Sequence, residues 1–273
     1  MAFLYNIGIQ AYHLAIQLAA PFNEKAALLR KGRKEVWKKA AGIQRGEGRL
    51  VWFHAASLGE FEQGRPVIEA LKAAEPATQI LLTFFSPSGY EIRKNYTGAD
   101  YILYLPGDTR RNAVRLIEKF RPDAAVFIKY EFWFHYLNEL NKRNIPVYLI
   151  SAIFRPNQPF FKSWGKLHRR MLGCFKELFV QDGQSVELLK SIGIKNVRLT
   201  GDTRFDRVKQ IAENAKQIVK VEQFCDGRPA IVCGSTFSWN ISTAIRTVIN
   251  GLSSLTKSGK ITSKRFWTNA GRR

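Results

Sequence analysis

After residue 48 the chain alternates between short apolar runs and longer amphipathic runs, and this alternation constrains the fold more than any other feature. The apolar runs are rich in Val, Ile, Leu and Phe, and they predict strands at residues 50–56, 80–85, 101–104, 124–129, 147–150, 178–181, 197–200 and 230–233. Helical patterns separate most of them, at residues 66–74, 90–96, 112–120, 136–144, 185–193 and 206–219. Short apolar strands that alternate with helices are typical of a parallel sheet covered on both faces. The sequence therefore predicts an α/β fold with a Rossmann-like, doubly wound parallel sheet.

The residues that directly follow the predicted strands are the first candidates for a functional site. In a doubly wound sheet, ligands bind outside the carboxyl ends of the strands. Small, acidic and basic side chains occupy these positions after the first, second, fourth and seventh strands: Ser57, Gly59, Glu60, Ser86, Ser88, Lys129, Glu131 and Arg204. Because these strand ends share one edge of the sheet, we expect the side chains to converge there.

Glu60 has two interpretations. The segment Ser57-Leu58-Gly59-Glu60 fits the S-x-x-E capping box, in which Ser57 caps a helix and Glu60 reaches back to a backbone N–H. Gly59 fits this less well, because glycine is unfavourable in a helix but permits close approach of a ligand. Glu60 is therefore a candidate helix cap, a candidate base, or both.

The other candidate positions also have alternatives. The segment from Ser86 to Ser88 is either an ordinary helix start or one whose free amides bind an anion. Glu131 lies between aromatic residues at a predicted strand end. It is either a structural partner of Lys129 or Arg155, or a carboxylate with a perturbed pKa in an active site.

The N-terminus is apolar and the segment after it is basic. Residues 1–22 contain no Asp, Glu, Lys or Arg, whereas residues 25–45 hold eight Lys or Arg and one acid. A run of about 20 apolar residues just suffices to span a bilayer. We expect residues 1–22 to be a membrane anchor, embedded or interfacial, with the basic segment on anionic lipid at the cytoplasmic face. An ordinary buried helix followed by a solvated basic face is the alternative.

The net charge of +21 indicates an anionic partner without identifying it. The sequence has neither GxGxxG nor GxxxxGK[ST], no His, Asp or Glu cluster with metal-ligand spacing, and no nucleic-acid-binding motif. Its three cysteines show no CxxC spacing, which argues against a disulfide framework. These observations disfavour a basic nucleic-acid-binding protein and predict no metal and no cofactor.

The order of the motifs supplies a resemblance. An apolar N-terminus followed by HAASLGE, EFW, GDTRFDRV and CGSTF resembles the bacterial 3-deoxy-D-manno-octulosonic acid (Kdo) transferases over residues 1 to 236. That family has two Rossmann-like domains in the GT-B arrangement. The resemblance implies an N-terminal acceptor domain at residues 23–215 and a donor domain from residue 216 onward.

The resemblance also implies an activity and roles for residues. Kdo would pass from CMP-Kdo to a lipid A precursor, lipid IV(A), at the cytoplasmic face of the inner membrane in lipopolysaccharide biosynthesis. Glu60 would be the general base of an inverting transfer. Glu131 and Arg204, the latter in place of a lysine common in the family, would stabilise the transition state.

The chain departs from the family after residue 236. Residues 227–273 contain eight Lys or Arg and no acid, and the family's Arg-His-Pro segment and Gly-rich helix start are missing. We therefore expect an incomplete donor domain at residues 216–273, with residues 237–273 non-native or disordered through truncation or a frameshift. A non-catalytic fragment that binds the acceptor at the membrane surface is accordingly the alternative function.

Overall fold

A computed structural model of the protein describes residues 2–213 together with residues 219, 223 and 226. The described elements lie in a compact unit, Met1–Asn214. Seven strands are present in this unit: β1 (Leu50–Ala55), β2 (Gln79–Phe84), β3 (Tyr101–Tyr104), β4 (Ala124–Ile128), β5 (Val147–Ala152), β6 (Glu177–Val180) and β7 (Val197–Leu199). Each matches one of the first seven predicted strands to within two residues at either end. The eighth predicted strand, the proposed donor domain and the tail from residue 237 lie outside the described residues, apart from three isolated positions.

The seven strands form one parallel sheet in the order β3-β2-β1-β4-β5-β6-β7. The order reverses at β1, which is the topology of a Rossmann-like doubly wound sheet. The predicted fold class is therefore confirmed for the described part of the chain. The strands are largely apolar because helices cover both faces, and β1, β2 and β4 are buried at every position.

Nine α-helices surround the sheet in the described residues: α1 (Ala2–Ala19), α2 (Glu24–Gly42), α3 (Leu58–Ala74), α4 (Pro87–Arg93), α5 (Arg110–Phe120), α6 (Phe134–Lys142), α7 (Lys166–Leu172), α8 (Gly183–Ser191) and α9 (Thr203–Glu213). Six of them correspond to the predicted helical patterns. The short α7 and the 3-10 helix Pro159–Phe161 lie between β5 and β6, where no helix was predicted.

Two hydrophobic clusters lie on opposite faces of the sheet, and β1 contributes to both. Leu50 and Trp52 belong to one cluster, whereas Val51, Phe53 and Ala55 belong to the other. This follows from the two-residue period of a strand. The sheet therefore holds its loops against a packed core on each side, which keeps the carboxyl ends of the strands in fixed positions.

Helix α1 attaches to the rest of the unit through polar contacts. The Tyr5 hydroxyl donates to Asp108 Oδ2 at 2.5 Å, and His135 Nε2 lies 2.6 Å from Asn6 Oδ1. Asp108 also accepts from the backbone N–H groups of His135 and Tyr136 at 3.1 and 3.2 Å, so one buried carboxylate links α1 to the start of α6. Burial raises the pKa of Asp108.

Much of the apolar surface of α1 faces outward. Phe3 is 72% exposed and Leu18 is 66% exposed, and Leu4, Ile7 and Leu14 are also exposed. No helix among the described residues is sufficiently long and apolar to traverse a bilayer.

Candidate active site

Glu60 lies in the first turn of α3, directly after β1. Its Oε2 atom accepts hydrogen bonds from the Ser57 backbone N–H at 3.0 Å and from the Ser57 hydroxyl at 3.2 Å. The two residues form a capping box, so the predicted structural role of Glu60 is confirmed. No hydrogen bond reaches Glu60 Oε1 from the part of the chain that the structure describes. Because the cap uses only Oε2, the second oxygen is available to another group.

The environment of Glu60 favours its protonated form. Burial is the largest influence on its pKa and raises it, and the nearby charge of Glu131 raises it further. The hydrogen bonds from Ser57 and the charge of Lys129 act in the opposite direction, but the net shift is upward. A carboxylate with a raised pKa is a stronger base than an exposed one.

Gly59 leaves space beside Glu60. It is exposed, and a Cβ atom built on it would have no heavy atom within 4 Å. The start of α3 therefore has open space beside Gly59, and the role of this glycine in binding a ligand stays a prediction.

Glu131 follows β4 and is 6% exposed. Its Oε2 atom lies 2.9 Å from His54 Nε2 and accepts from the Trp133 indole N–H at 2.7 Å. The interpretation of Glu131 as a partner of Lys129 or Arg155 is therefore wrong. Arg155 instead pairs with the Asp182 carboxylate at 2.8 Å.

His54 is the residue of this site that the sequence interpretation missed. It is fully buried in β1, and its Nδ1 atom lies 3.1 Å from the Thr83 carbonyl oxygen and 2.8 Å from Thr83 Oγ1. A carboxylate only accepts, so we assign the imidazole proton to Nε2 as a donor to Glu131, while Nδ1 accepts from the Thr83 hydroxyl. The available signal was the histidine in the apolar run LVWFHA, because a buried polar group needs a partner.

Lys129 directly follows β4 and has a left-handed backbone conformation, with φ of 69°. Its ammonium group lies 5.5 Å from the centre of the Tyr130 ring, and its charge influences Glu60. A left-handed non-glycine residue is strained and persists where the surrounding structure enforces it, often at functional sites. Lys129, Glu60 and Glu131 are thus brought together at the carboxyl edge of the sheet.

The two serines after β2 interact with each other. Ser86 occupies the position before α4, and its hydroxyl lies 2.8 Å from the Ser88 hydroxyl. Neither side chain is bonded to Glu60 or Glu131. The role of both as ligands of a substrate stays a prediction.

Arg204 lies at the same edge but contacts neither glutamate. It is exposed and forms an ion pair with the Asp202 carboxylate, whose oxygens lie 3.1 and 2.9 Å from Arg204 Nε. The neighbouring Thr203 hydroxyl donates to the Gln63 carbonyl oxygen at 2.7 Å, which fixes this segment against α3. The predicted stabilising role of Arg204 would require its side chain to leave Asp202.

Within the described residues, no group of three or more His, Cys, Asp or Glu side chains is arranged to hold a metal ion. The chemistry that this edge can supply is that of carboxylates, an imidazole and a lysine.

A reversed strand order in one parallel sheet, with a capped, partly buried glutamate at its carboxyl edge, places the described part of the chain in the class of Rossmann-like α/β domains. Within that class, a family model for 3-deoxy-D-manno-octulosonic-acid transferase (kdotransferase) matches residues 25–207. The chain belongs to this family.

Two curated relatives illustrate the similarity. A 3-deoxy-D-manno-octulosonic acid transferase of Chlamydia trachomatis serovar A is 25% identical over 231 residues, which cover 81% of this chain and 54% of the relative. One of Rickettsia bellii is 26% identical over 203 residues, covering 72% of this chain and 47% of the relative. The chain spans about half the length of the curated relatives it matches.

A solved structure shares the fold. A putative UDP-N-acetylglucosamine 2-epimerase of Listeria monocytogenes superposes with a TM-score of 0.50 at 14% identity, covering 78% of this chain and 61% of that one. At this identity the likeness is one of fold alone.

Proposed function

We propose that this chain supplies the acceptor side of a Kdo transferase, in which Kdo passes from CMP-Kdo to a lipid A precursor such as lipid IV(A). Membership of the family supports the reaction class. The open carboxyl edge of the sheet supports the position of the acceptor. Lipopolysaccharide biosynthesis would be the process served.

One observation carries the assignment of Glu60 as general base. The capping box occupies Oε2 only, so Oε1 is directed to no other group in the described part of the chain. The cap fixes the side chain at the edge of the sheet, and burial raises its pKa. Capping and catalysis are therefore compatible uses of one carboxylate, and the cap positions the base.

The proposed step is a single displacement. The acceptor hydroxyl oxygen attacks the anomeric carbon of Kdo, and its proton passes to Glu60 Oε1. The bond from that carbon to the CMP phosphate oxygen breaks, and CMP leaves with the electron pair. Attack from the face opposite the leaving group inverts the configuration. The step uses only the two substrates and no further cofactor.

The neighbouring groups have secondary roles in this proposal. Glu131, fixed by His54 and Trp133, faces the positive charge that develops at the anomeric carbon. Arg204 offsets the charge on the phosphate or the sugar carboxylate after release from Asp202. Ser57, Gly59, Ser86, Ser88 and Lys129 line the surface on which the acceptor lies.

We propose that α1 rests in the interface of the inner membrane on its cytoplasmic face. Leu4, Ile7, Leu14 and Leu18 recur at helical spacing on an exposed side of the helix. Buried in the outer hydrocarbon, such a side would hold the domain where a lipid acceptor is found. The basic residues of α2 add attraction to anionic lipids.

The experiment joins this domain to a complete donor domain. Residues 25–207 replace the matching region of the Chlamydia trachomatis relative, and the hybrid is supplied with CMP-Kdo and tetra-acylated lipid A precursor. Mass spectrometry is expected to detect acceptor with added Kdo. A folded hybrid that binds the acceptor and forms no product would contradict the proposal.

Acceptor binding without transfer is a second candidate function. It is favoured by the departure of residues 237–273 from the sequence pattern of the family. Product formed from CMP-Kdo by the full 273-residue chain alone would exclude it.

A further inference from the structure

A basic cavity of about 1130 Å³ opens between α1, α2 and the loop that follows β3. Its wall carries five cations and one acid: Arg30, Lys31, Arg33, Lys34, Lys38 and Glu35. The acid is not their partner, because Glu35 lies 3.9 Å from the Lys39 ammonium group. Across the described residues, none of the five cations forms an ion pair. The cavity therefore concentrates positive charge without neutralising it.

Arg33 is distinct among these cations. Its Nε and Nη1 atoms are buried and have no hydrogen-bond partner among the described residues. Arg45 and Arg93 also carry a buried, unbonded Nε, but their remaining nitrogens pair with Asp123 and Glu62. No carboxylate among the described residues forms an ion pair with Arg33. A buried guanidinium without an anion is costly and calls for an explanation.

The electrostatics agree with this geometry. Burial lowers the pKa of Arg33, with partial opposition from the hydroxyls of Tyr12 and Tyr136. His13 lines the same cavity, and its pKa is lowered by burial and then by the charge of Arg33. Burial therefore disfavours the charged form of both groups, and a bound anion would favour it.

Aromatic rings connect this cavity to the candidate active site. The guanidinium carbon of Arg33 lies 4.8 Å from the centre of the Phe85 ring, and Phe85 stacks on Trp133 with ring centres 4.8 Å apart. Trp133 donates to Glu131. A continuous chain of aromatic contacts thus leads from Arg33 to Glu131.

We propose that this cavity binds a phosphoryl group, with the Arg33 guanidinium as its principal ligand. Arg33 lines this cavity and has no ion-pair partner among the described residues, and a planar guanidinium matches a phosphate in charge and donates to its oxygens. The remaining cations are strongly hydrated lysines and an arginine, which provide attraction at the entrance. The phosphoryl group is that of the glycolipid acceptor, an assignment that rests on the proposed function, whereas the site itself rests on the cavity alone.

The test compares ligands that differ only in phosphate. The full chain in neutral detergent micelles is titrated with tetra-acylated lipid A precursor carrying its phosphates and with the same glycolipid after dephosphorylation. Arg33→Met removes the charge but keeps the aliphatic stem that packs on the rings. It is expected to weaken binding of the phosphorylated glycolipid by about tenfold or more and to leave the dephosphorylated one unchanged.

Two further variants separate charge from folding. Arg33→Lys keeps the charge without the planar fork, and it is expected to recover only part of the affinity. Arg115→Met removes an exposed arginine that stacks on Trp37 at 4.1 Å but does not line the cavity, and it should bind as the parent does. Thermal melts establish that each variant is folded. Arg33→Met should melt no lower than the parent, because it removes an uncompensated buried charge.

Vesicles identify the source of the phosphoryl group. Binding is measured on phosphatidylcholine alone and on phosphatidylcholine mixed with phosphatidylglycerol. If Arg33→Met loses affinity equally for the mixed vesicles and for the phosphorylated glycolipid, the phosphoryl site is supported. Its assignment to the acceptor is then overturned. Parental affinity of Arg33→Met for every phosphorylated ligand would overturn the site. These measurements record binding without transfer, so failure of the proposed base would not affect this outcome.

Discussion

The Glu131 carboxylate lies 2.9 Å from the His54 imidazole, and the pair is enclosed between β1 and β4. The Trp133 indole N–H completes the group: it donates to Glu131 Oε2 at 2.7 Å, and its nitrogen lies 3.0 Å from His54 Nε2. Because Glu131 raises the pKa of Glu60, the buried pair also influences the proposed base. His54 therefore holds a carboxylate 77 positions away in the sequence, and that carboxylate raises the pKa of Glu60.

His54→Gln is expected to loosen Glu131. The amide occupies part of the imidazole volume but cannot bridge Thr83 and Glu131 in the same way, so a buried polar group loses a partner. We expect a loss of about 1–3 kcal/mol in the free energy of unfolding, measured by urea denaturation.

In the hybrid enzyme, kcat of His54→Gln should fall while KM for the acceptor stays close to the parental value. His168→Gln, which contacts neither carboxylate, is the control. Unchanged kcat in a folded His54→Gln hybrid would argue against a positioning role.

Glu131→Gln is expected to move the acidic limb of the pH profile to lower pH. A base must be deprotonated, so kcat/KM rises as pH passes through the pKa of Glu60. Burial raises that pKa first, and the charge of Glu131 raises it further. Removing the charge lowers the pKa of Glu60. The acidic limb should therefore move even if the maximal kcat/KM also changes. The measurement is kcat/KM of the hybrid against pH. An acidic limb at the same pH in Glu131→Gln and in the parent would show that Glu60 does not titrate beside a charged Glu131.

Glu60→Gln should not destabilise the fold in neutral buffer. The folded-state pKa of Glu60 lies above its unfolded value, so its contribution to stability is complete below the unfolded pKa and is lost as pH rises through the folded pKa. A glutamine avoids this loss and still accepts the Ser57 N–H in a capping box. Denaturation midpoints should therefore be equal to, or above, those of the parent in neutral buffer, with a smaller difference in acid. A large loss of stability would indicate that capping requires the charge.

Replacing the exposed leucines of α1 should release the chain from membranes. Leu4, Leu14 and Leu18 are 70%, 55% and 66% exposed, and their joint substitution by glutamine removes much of the apolar side of the helix. Vesicle sedimentation should show affinity lower by about tenfold or more. The binding that remains should fall as salt is added, because exposed charges are screened. Trp164→Gln, at a position 65% exposed elsewhere, is the control. Equal binding by the triple variant would exclude α1 as the contact.

The fold was largely predictable because its signals are local. An apolar strand such as β4 and an amphipathic helix such as α5 each carry their period within a few residues. Helix α7 was missed because its seven residues are too short for a clear period and include three basic side chains. The carboxyl end of β5 was also predicted two residues too early, and a register irregularity between Leu149 and Ala152 lies in this part of the strand.

The site was predictable only in part, because its contacts are not local. The position of Glu60 followed from a four-residue motif and from the edge rule for parallel sheets. The partner of Glu131 did not, since His54 reaches it across two paired strands. Likewise, the basic segment at residues 25–45 was interpreted as a solvated or lipid-facing surface. The burial of Arg33 within it depends on the packing of α1 against α2.

The most direct test of the account is the rate of the chemical step in Glu60→Gln. Single-turnover transfer is measured in the hybrid with saturating CMP-Kdo and lipid A precursor, beside Glu69→Gln, which alters a surface ion pair with Arg65 on the same helix. We predict that Glu60→Gln slows the step by roughly a hundredfold or more with unchanged acceptor Kd, and that Glu69→Gln retains the parental rate. A near-parental rate in folded, acceptor-binding Glu60→Gln would show that the base lies elsewhere.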